Sequence, residues 1–422
     1  MTPAPAADHH LPRRAAVIVF LAFAGAYFLS ALLRAVTATL SPVLTADFAL
    51  HARDLGLLAG GYFLGFAAMQ LPLGAWLDRH GPRKVSVALL AIAVLGCAVF
   101  ALAQGFAGLL AARVLMGMGV AAGLMAPLTG YRRWFDAGLQ LRANSWMLMT
   151  GSLGMLASTL PVQWLLPLVG WRPLFWGLAA LGLLAMAVIA LAVPGWHHQG
   201  DSKMIAAGAL PAGAGGRNDS YLEIVRRREF RRASPLGMVS FGGMVAIQSL
   251  WAGPWLTRVS GRSPLEAATG LFWINAAMLL TFWTWGLLLP RLMARGITVD
   301  ALVARVQPAS CVVLASLLAL GPAAGAWGFV LLALYCVLST PSAQVQPVLA
   351  MAYPPRLAGR ALSAFNLVIF VGIFLVQWGI GLGADALAAL GWSEADALRG
   401  ALGVFGLLSA ACWLHYVLAG RR

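Results

Sequence analysis

The residue with the clearest chemical potential is Arg34, in the stretch GAYFLSALLRAVTATLSP at residues 25–42. It is the only charged residue between Arg14 and Asp47, so a helix crossing a membrane here places its guanidinium deep in hydrocarbon. Roughly 20 Å of helix separates it from Asp47, which is too far for the side chain to reach the membrane surface. A guanidinium offers a planar fork of donors that suits carboxylate, phosphate or nitrate oxygens. Arg34 is therefore predicted to bind an anion, with a purely structural role as the alternative.

Uncharged polar and aromatic side chains in other apolar stretches are predicted to complete a substrate cavity with Arg34. The candidates are Tyr27, Gln248, Trp251, Gln344, Gln346 and Asn366. If indole faces line this cavity, their apolar surface favours an organic over an inorganic anion.

Acidic residues are missing from the same apolar stretches. All 14 Asp and Glu residues fall in predicted loops or at the ends of apolar stretches, so no carboxylate is expected to neutralise Arg34 or to carry a proton. The substrate is then expected to bring the negative charge itself. The sequence shows no nucleophile with a base, no phosphate loop and no cluster of metal ligands. The chain is predicted not to be an enzyme and to use no cofactor or metal.

The elements that position these side chains are predicted to be membrane-spanning helices. The 422 residues are 61% hydrophobic and 10% charged, with a mean hydropathy of +0.82, whereas soluble domains are roughly 25% charged. About 20 apolar residues cross a bilayer as a helix. The sequence predicts twelve spans, numbered in chain order: 16–42, 54–77, 85–104, 107–130, 144–168, 173–194, 235–257, 268–290, 301–320, 325–351, 361–384 and 400–419.

The basic residues predict how the spans are oriented. With the amino terminus in the cytoplasm, 22 of the 29 Lys and Arg residues fall on the cytoplasmic side, five on the other side and two, Arg34 and Arg113, inside spans. This asymmetry follows the positive-inside rule and places both termini in the cytoplasm. It also explains the net charge of +15 without nucleic acid, which is not predicted to be a partner.

Residues 195–232 divide the chain into two halves, predicted as six-helix bundles at 1–194 and 233–422. The first part of this segment is a Gly, Ala and Pro-rich linker, and its last part, YLEIVRRREFRRAS, has seven charged residues. We interpret that last part as a short basic amphipathic helix on the anionic inner leaflet. A regulatory or partner site is the alternative.

Short matches between the halves predict an internal repeat. Residues 42–45 (PVLT) stand twelve positions before Asp54, and residues 254–257 (PWLT) stand twelve before Glu266, an offset of 212 in both cases. Later, VQW at 162–164 recurs at 376–378. Each match is weak alone, but together they favour a duplicated six-span unit.

The turn between spans 2 and 3 carries the most specific motif, GAWLDRHGPRK at residues 74–84. Asp78 is expected to cap a neighbouring helix amino terminus, Gly81 permits a tight turn, and the basic residues hold the loop on the inner face. The predicted conformational motif consists of Gly74, Asp78, Arg79, Gly81, Arg83 and Lys84.

This motif resembles the signature loop of the major facilitator superfamily, and the twelve spans, the central linker and the related halves extend the resemblance over nearly the whole chain. The segment RVLMGMG, from Arg113 to Gly119 in span 4, resembles a second motif of that family. The resemblance implies two six-helix bundles that open alternately to each side, with Asp78 and Arg79 in a charge network that stabilises one state. Arg113 is then a candidate for coupling, with packing as the alternative.

The subfamily is less defined. Residues 151–161 lack the glycine-proline pair typical of drug and proton antiporters, whereas residues 27–34 resemble the first span of organic-anion and organophosphate transporters. The predicted function is import of a small carboxylate-type anion, by proton symport or anion exchange, by a monomer in the bilayer of a bacterial inner membrane. Multidrug or metabolite efflux and a non-transporting sensor of the same fold are the alternatives.

Overall fold

Helices make up most of the chain in the computed structural model, which describes residues 11–196 and 221–420, and no strand occurs in those residues. The first half consists of Arg13–Phe48 (span 1), Ala52–Leu102 (spans 2 and 3), Phe106–Gly119 and Met125–Trp134 (span 4), Ala137–Ala157 and Leu160–Val169 (span 5), and Trp171–Ala192 (span 6). The second half consists of Arg228–Val259 (span 7), Pro264–Ala294 (span 8), Val299–Leu320 (span 9), Gly328–Ser339 and Val345–Met351 (span 10), Pro355–Ala389 (span 11), and Glu394–Gly420 (span 12).

Nine of the described helices are each long and apolar enough to cross a bilayer. One of them, Ala52–Leu102, has 51 residues, which at 1.5 Å per residue is more than twice the roughly 30 Å of a hydrocarbon core. Gly81, with φ 77° and ψ 164°, interrupts this helix and separates spans 2 and 3. Span 4 is divided into two shorter helices, and span 5 is bent by 42°. The described helices are therefore consistent with the twelve predicted spans.

Spans 2 and 8 begin in the same way, as the internal repeat predicts. Span 2 starts with a capping box of His51 and Asp54, and span 8 starts with a capping box of Ser263 and Glu266. In each box the side chain of the residue before the helix accepts from a backbone N–H inside it, and the carboxylate reaches back to the cap residue. Hydrogen bonds from Ser263 lower the pKa of the Glu266 carboxyl. The two boxes are 212 residues apart, the offset found in the sequence.

Glycines let spans 2 and 4 pack with their backbones in contact. A Cβ atom added at Gly117 would overlap the carbonyl of Tyr62, and one added at Gly65 would overlap the carbonyl of Val114. Small residues at helix contacts allow this close approach in membranes. The RVLMGMG segment therefore packs span 4 against span 2.

The two halves are in closest contact toward one side of the membrane. We call this the far side, where spans 1 and 11 end, and we call the other side, where they begin, the linker side. The halves contact each other mainly through spans 1 and 7, 2 and 11, and 5 and 8. At the far side a Cβ at Gly381 would overlap the carbonyl of Ala52, whereas Met125–Trp134 and Val345–Met351 on the linker side have their main contacts within their own halves. The structure is closed at the far side and open toward the linker side.

The basic end of the central segment docks onto the second half. Residues 197–220, which hold most of the predicted linker, lie outside the described part. They are followed by the short helix Tyr221–Arg226 and by Arg228–Pro235, the first part of span 7. Phe230 is buried with its ring centroid 6.0 Å from that of Phe365, and Arg232 bonds Asp300 at 3.0 Å. The apolar face of Arg228–Pro235 is therefore packed on protein, and its predicted position on the leaflet stays a prediction.

Candidate anion-binding site

Span 1 presents Arg34 from within an otherwise buried stretch. Every residue from Leu29 to Ser41 is buried except Arg34, which is half-buried. Its Nε atom is shielded from solvent and has no hydrogen-bond partner. The ion pairs of the described residues all lie elsewhere. A guanidinium held in this way keeps donors and charge available for a ligand.

Two tyrosines lie beside this guanidinium. The phenol groups of Tyr27 and Tyr62 both interact electrostatically with the Arg34 guanidinium. Tyr27 is half-buried, and its ring occupies the space where a Cβ at Gly151 of span 5 would lie. Glycine at position 151 therefore makes room for Tyr27. The structure brings the predicted Tyr27 to Arg34 and adds Tyr62, which the sequence analysis did not select.

Arg113 is fixed behind these residues and is fully buried. Its Nη1 donates to the carbonyl of Leu33 at 2.6 Å and its Nε to the carbonyl of Leu58 at 3.4 Å, and the guanidinium lies 5.0 Å from the ring centroid of Tyr62. Arg113 thus joins spans 1, 2 and 4. It has no exposed surface, which favours the packing interpretation over direct contact with substrate, while its predicted role in coupling stays a prediction.

A row of amides connects the halves through spans 2, 10 and 11. Gln346 Nε2 donates to Asn366 Oδ1 at 3.3 Å, and Asn366 Nδ2 donates to Gln70 Oε1 at 2.9 Å. Gln346 and Asn366 are half-buried, whereas Gln70 is buried. The predicted pair is therefore brought together, and Gln70 of the first half joins it without having been selected from the sequence.

The remaining candidates of the second half are more enclosed. Gln248 lies in a π-helical turn of span 7 and its Nε2 donates to Asn275 Oδ1 at 3.0 Å. Trp251 is 1% exposed and its Nε1 donates to the carbonyl of Gln377 at 3.2 Å. Gln344 is half-buried at the end of a 3₁₀ turn. Trp251 offers no accessible face in this conformation, so its predicted contact with substrate requires a different arrangement of the helices.

The conformational motif lies at the linker side: Gly74, Asp78, Arg79, Gly81, Arg83 and Lys84. Gly81 has positive φ, and Trp196 packs where a Cβ at Gly81 would lie. The Asp78 carboxylate is largely exposed, caps no helix and forms no ion pair with any described residue. Partial desolvation raises the pKa of its carboxyl above the ordinary value. The predicted cap and the charge network with Arg79 are therefore not formed in this conformation.

We expect Asp78→Asn to slow transport while leaving ligand affinity nearly unchanged. The side chain is unpaired when the linker side is open, so its charge is expected to act when that side closes. Loss of one charge-assisted hydrogen bond corresponds to a rate reduction of roughly tenfold. Initial transport rates in proteoliposomes and dissociation constants on the same preparation measure the two effects, with Glu229→Gln as an exposed control. A loss of affinity at an unchanged maximal rate would contradict this role.

The far side is held by a carboxylate of span 11, Asp385. Its two oxygens accept hydrogen bonds from the backbone N–H groups of Ala52 and Arg53, each at 3.1 Å, at the start of span 2. A carboxylate at this position satisfies unpaired N–H groups and interacts favourably with the helix dipole. We call these contacts of Asp385 with Ala52 and Arg53 the far-side clamp. Asp385 directly follows the predicted span 361–384, and its residue type and position in the sequence give no sign of this contact.

We expect Asp385→Asn to open the far side in a larger fraction of molecules. An amide loses the charge that interacts with the helix amino terminus, and its nitrogen cannot accept from the second N–H group. Spin labels at Ala46→Cys and Ala389→Cys, which are exposed on the two halves, report the opening as a longer distance population. Asp54→Asn is the matched control, because Asp54 caps the same helix from within the first half. If the distances between the two spin labels were distributed equally in the Asp385→Asn variant and in the labelled protein with Asp385, the contacts of Asp385 would not hold the far side closed.

Comparison with known proteins supports the fold and the family. A family model described as Major Facilitator Superfamily matches residues 23–377. The multidrug resistance protein MdtM of Salmonella typhimurium (strain LT2) is 28% identical over 45% of this chain and 48% of its own length. The hexuronate transporter of Bacillus subtilis (strain 168) is 32% identical over 24% of each chain. The matches to these curated relatives thus span about half of their length or less.

Solved structures resemble the chain over almost its full length. A bacterial homolog of the human lysosomal transporter Spinster, in an inward-facing and unoccupied conformation, has a TM-score of 0.77 at 18% identity, covering 97% of this chain and 98% of its own. A D-xylose-proton symporter has a TM-score of 0.74 at 15% identity, covering 95% and 97%. These likenesses confirm the predicted all-α membrane fold.

Proposed function

The chain belongs to the major facilitator superfamily, and on that premise we propose that it is a secondary active transporter that moves a small organic anion across the membrane by alternating access. Arg34 is the anion ligand in this proposal. The observation that carries it is the state of that side chain: half-buried in an otherwise buried stretch, beside two neutral phenols and without an acidic partner. A buried cation without a counter-ion is costly, and a bound anion supplies the missing charge.

The proposed substrate carries a carboxylate-type group and an organic body. Tyr27 offers an aromatic surface beside Arg34, and the Gln346–Asn366 pair of the second half offers neutral donors and acceptors. A ligand that contacts both halves can bias their relative positions, which is what alternating access needs. The similarity to a hexuronate transporter, although limited to 24% of the chain, agrees with a carboxylate substrate.

Coupling by proton symport and coupling by anion exchange both fit the charge distribution. Each described Asp or Glu residue lies toward an end of its span or in a loop, so a proton would travel on the substrate or at a carboxylate near the surface. The linker side is proposed to face the cytoplasm of a bacterial inner membrane, because the basic residues concentrate there. We propose that the transporter works as a monomer.

Efflux of drug-like compounds is the second candidate, because MdtM, a multidrug resistance protein, is 28% identical over 45% of the chain. A thermal-shift screen of the purified protein separates the candidates, since a ligand that binds the folded state raises the melting temperature. The panel contains monocarboxylates, hexuronates, phosphate esters, nitrate and cationic drugs. Stabilisation by one class of organic anion supports the proposal, whereas stabilisation by cations or neutral lipophiles alone supports efflux. An anion that binds but is never transported would indicate a sensor.

A further inference from the structure

Tyr62 lies between Arg34, which is half-buried, and Arg113, which is buried, and it is itself fully buried. On one side, its ring faces the Arg113 guanidinium, 5.0 Å from the ring centroid. On the other side, its phenol interacts electrostatically with Arg34. The same hydroxyl donates to the backbone carbonyl of Ser30 at 2.9 Å. One phenol thus packs against Arg113, interacts with Arg34 and binds the backbone of the helix that carries Arg34.

The contacts of Tyr62 and Arg113 fall on neighbouring carbonyls of span 1. Tyr62 takes the carbonyl of Ser30, one helical turn before Arg34, and Arg113 takes the carbonyl of Leu33 at 2.6 Å, the residue directly before it. These two bonds fix the rotation of span 1 against span 2 at the level of Arg34. The bonds from Tyr62 and Arg113 therefore determine the direction in which the Arg34 side chain leaves the helix.

The chemical nature of the phenol matters as much as its position. Because its proton is donated to the carbonyl of Ser30, the oxygen of Tyr62 can act toward Arg34 only as an acceptor. A carboxylate in this place would orient the guanidinium but also cancel its charge. A neutral phenol orients it and leaves the charge for a ligand.

We propose that Tyr62 is a positioning residue of the anion site, which holds Arg34 in a ligand-ready orientation without neutralising it. This inference rests on the proposed function for its purpose, but the positioning itself is testable without any substrate. Phenylglyoxal reacts with accessible guanidinium groups, and peptide mass spectrometry reads the rate of modification at Arg34 alone.

The experiment compares the full-length chain with Tyr62→Phe and Tyr131→Phe. Tyr62→Phe keeps the ring that faces Arg113 but removes the hydroxyl and its bond to the Ser30 carbonyl. The modification rate of Arg34 is therefore expected to rise by about fivefold, the factor for losing one neutral hydrogen bond. Tyr131 is the matched control, because it is also buried in the first half and its hydroxyl has no partner. If phenylglyoxal modified Arg34 at the same rate in the Tyr62→Phe variant as in the protein without substitutions, the proposal would be overturned.

Two further arms keep the result decisive. If Tyr62→Phe yields no folded protein, Tyr62→Met serves instead, since methionine fills the space with an adaptable apolar chain. Benzoate, glucuronate and inorganic phosphate are added as probes to the unmodified sequence. Protection of Arg34 by one of them supports the anion site. If no probe protects Arg34 but the modification rate of Arg34 is raised in the Tyr62 variant, Tyr62 positions Arg34 and the proposal of an anion site is wrong.

Discussion

Arg34→Gln is expected to lower the affinity for the transported anion by about a hundredfold or more while the protein stays folded. The charge-assisted hydrogen bonds of a guanidinium with an anion contribute roughly 1.5–3 kcal/mol each, and glutamine offers neither the charge nor the fork. The fold is expected to tolerate the change, because Arg34 has no acidic partner that would be left buried and unpaired. Isothermal titration with the anion found in the thermal-shift screen measures the affinity.

Arg14→Gln is the matched control for this prediction, since it removes the same charge from the exposed beginning of the same helix. The Arg14→Gln variant is expected to bind the anion with the same affinity as the protein without substitutions. If Arg34→Gln retained full affinity, Arg34 would be a structural residue and the anion site would lie elsewhere.

The second large effect is expected for Gly117→Val. The new side chain would overlap the carbonyl of Tyr62 and push span 4 away from span 2. Overpacking costs typically about 1–3 kcal/mol and occasionally more, so the melting temperature of a chain of 422 residues is expected to fall by roughly 1–4 °C. Anion affinity is expected to fall as well, because Tyr62 is part of the displaced backbone.

Gly177→Val provides the comparison for this second effect. Gly177 lies exposed on span 6, and a Cβ added there has nothing within 4 Å, so only the modest helix propensity of valine changes. Equal melting temperatures for the two variants would show that close packing of spans 2 and 4 contributes little to stability.

The positions of the spans could be predicted because they depend on local composition. Span 6 was predicted at 173–194 and is Trp171–Ala192, and span 9 was predicted at 301–320 and is Val299–Leu320. The membrane core requires an apolar run of fixed length, so hydropathy alone fixes such elements within a few residues. The interruption at Gly81 was also visible, since a positive φ favours glycine.

The site was predictable only where one helix carries it. Tyr27 and Arg34 are seven residues apart, about two helical turns, and therefore share a face. Tyr62 lies on a different helix within the run GGYFLG, where its type and surroundings suggest packing. Asp385 gains its partners only from the way the second half sits against the first. Such contacts depend on the relative placement of helices, for which a single sequence gives no signal.

The far-side clamp and the free carboxylate of Asp78 describe one conformation of a protein expected to have two. In this conformation Asp385 is bound to span 2 at the far side, and Asp78 at the linker side is unpaired. Asp78 lies near the end of span 2 and Asp385 near the end of span 11, and these two spans pack against each other between the halves. We expect the closing of one side and the opening of the other to exchange which of the two carboxylates is paired.

The most direct test of the anion-transport claim is counterflow in proteoliposomes. Vesicles are loaded with the unlabelled anion identified by thermal shift and diluted into a trace of the labelled anion. The unmodified sequence is expected to show transient accumulation of label, and Arg34→Gln is expected to show none. Accumulation that is equal in both proteins, or counterflow of cationic drugs but of no anion, would contradict the assignment of Arg34 as the ligand of a transported anion.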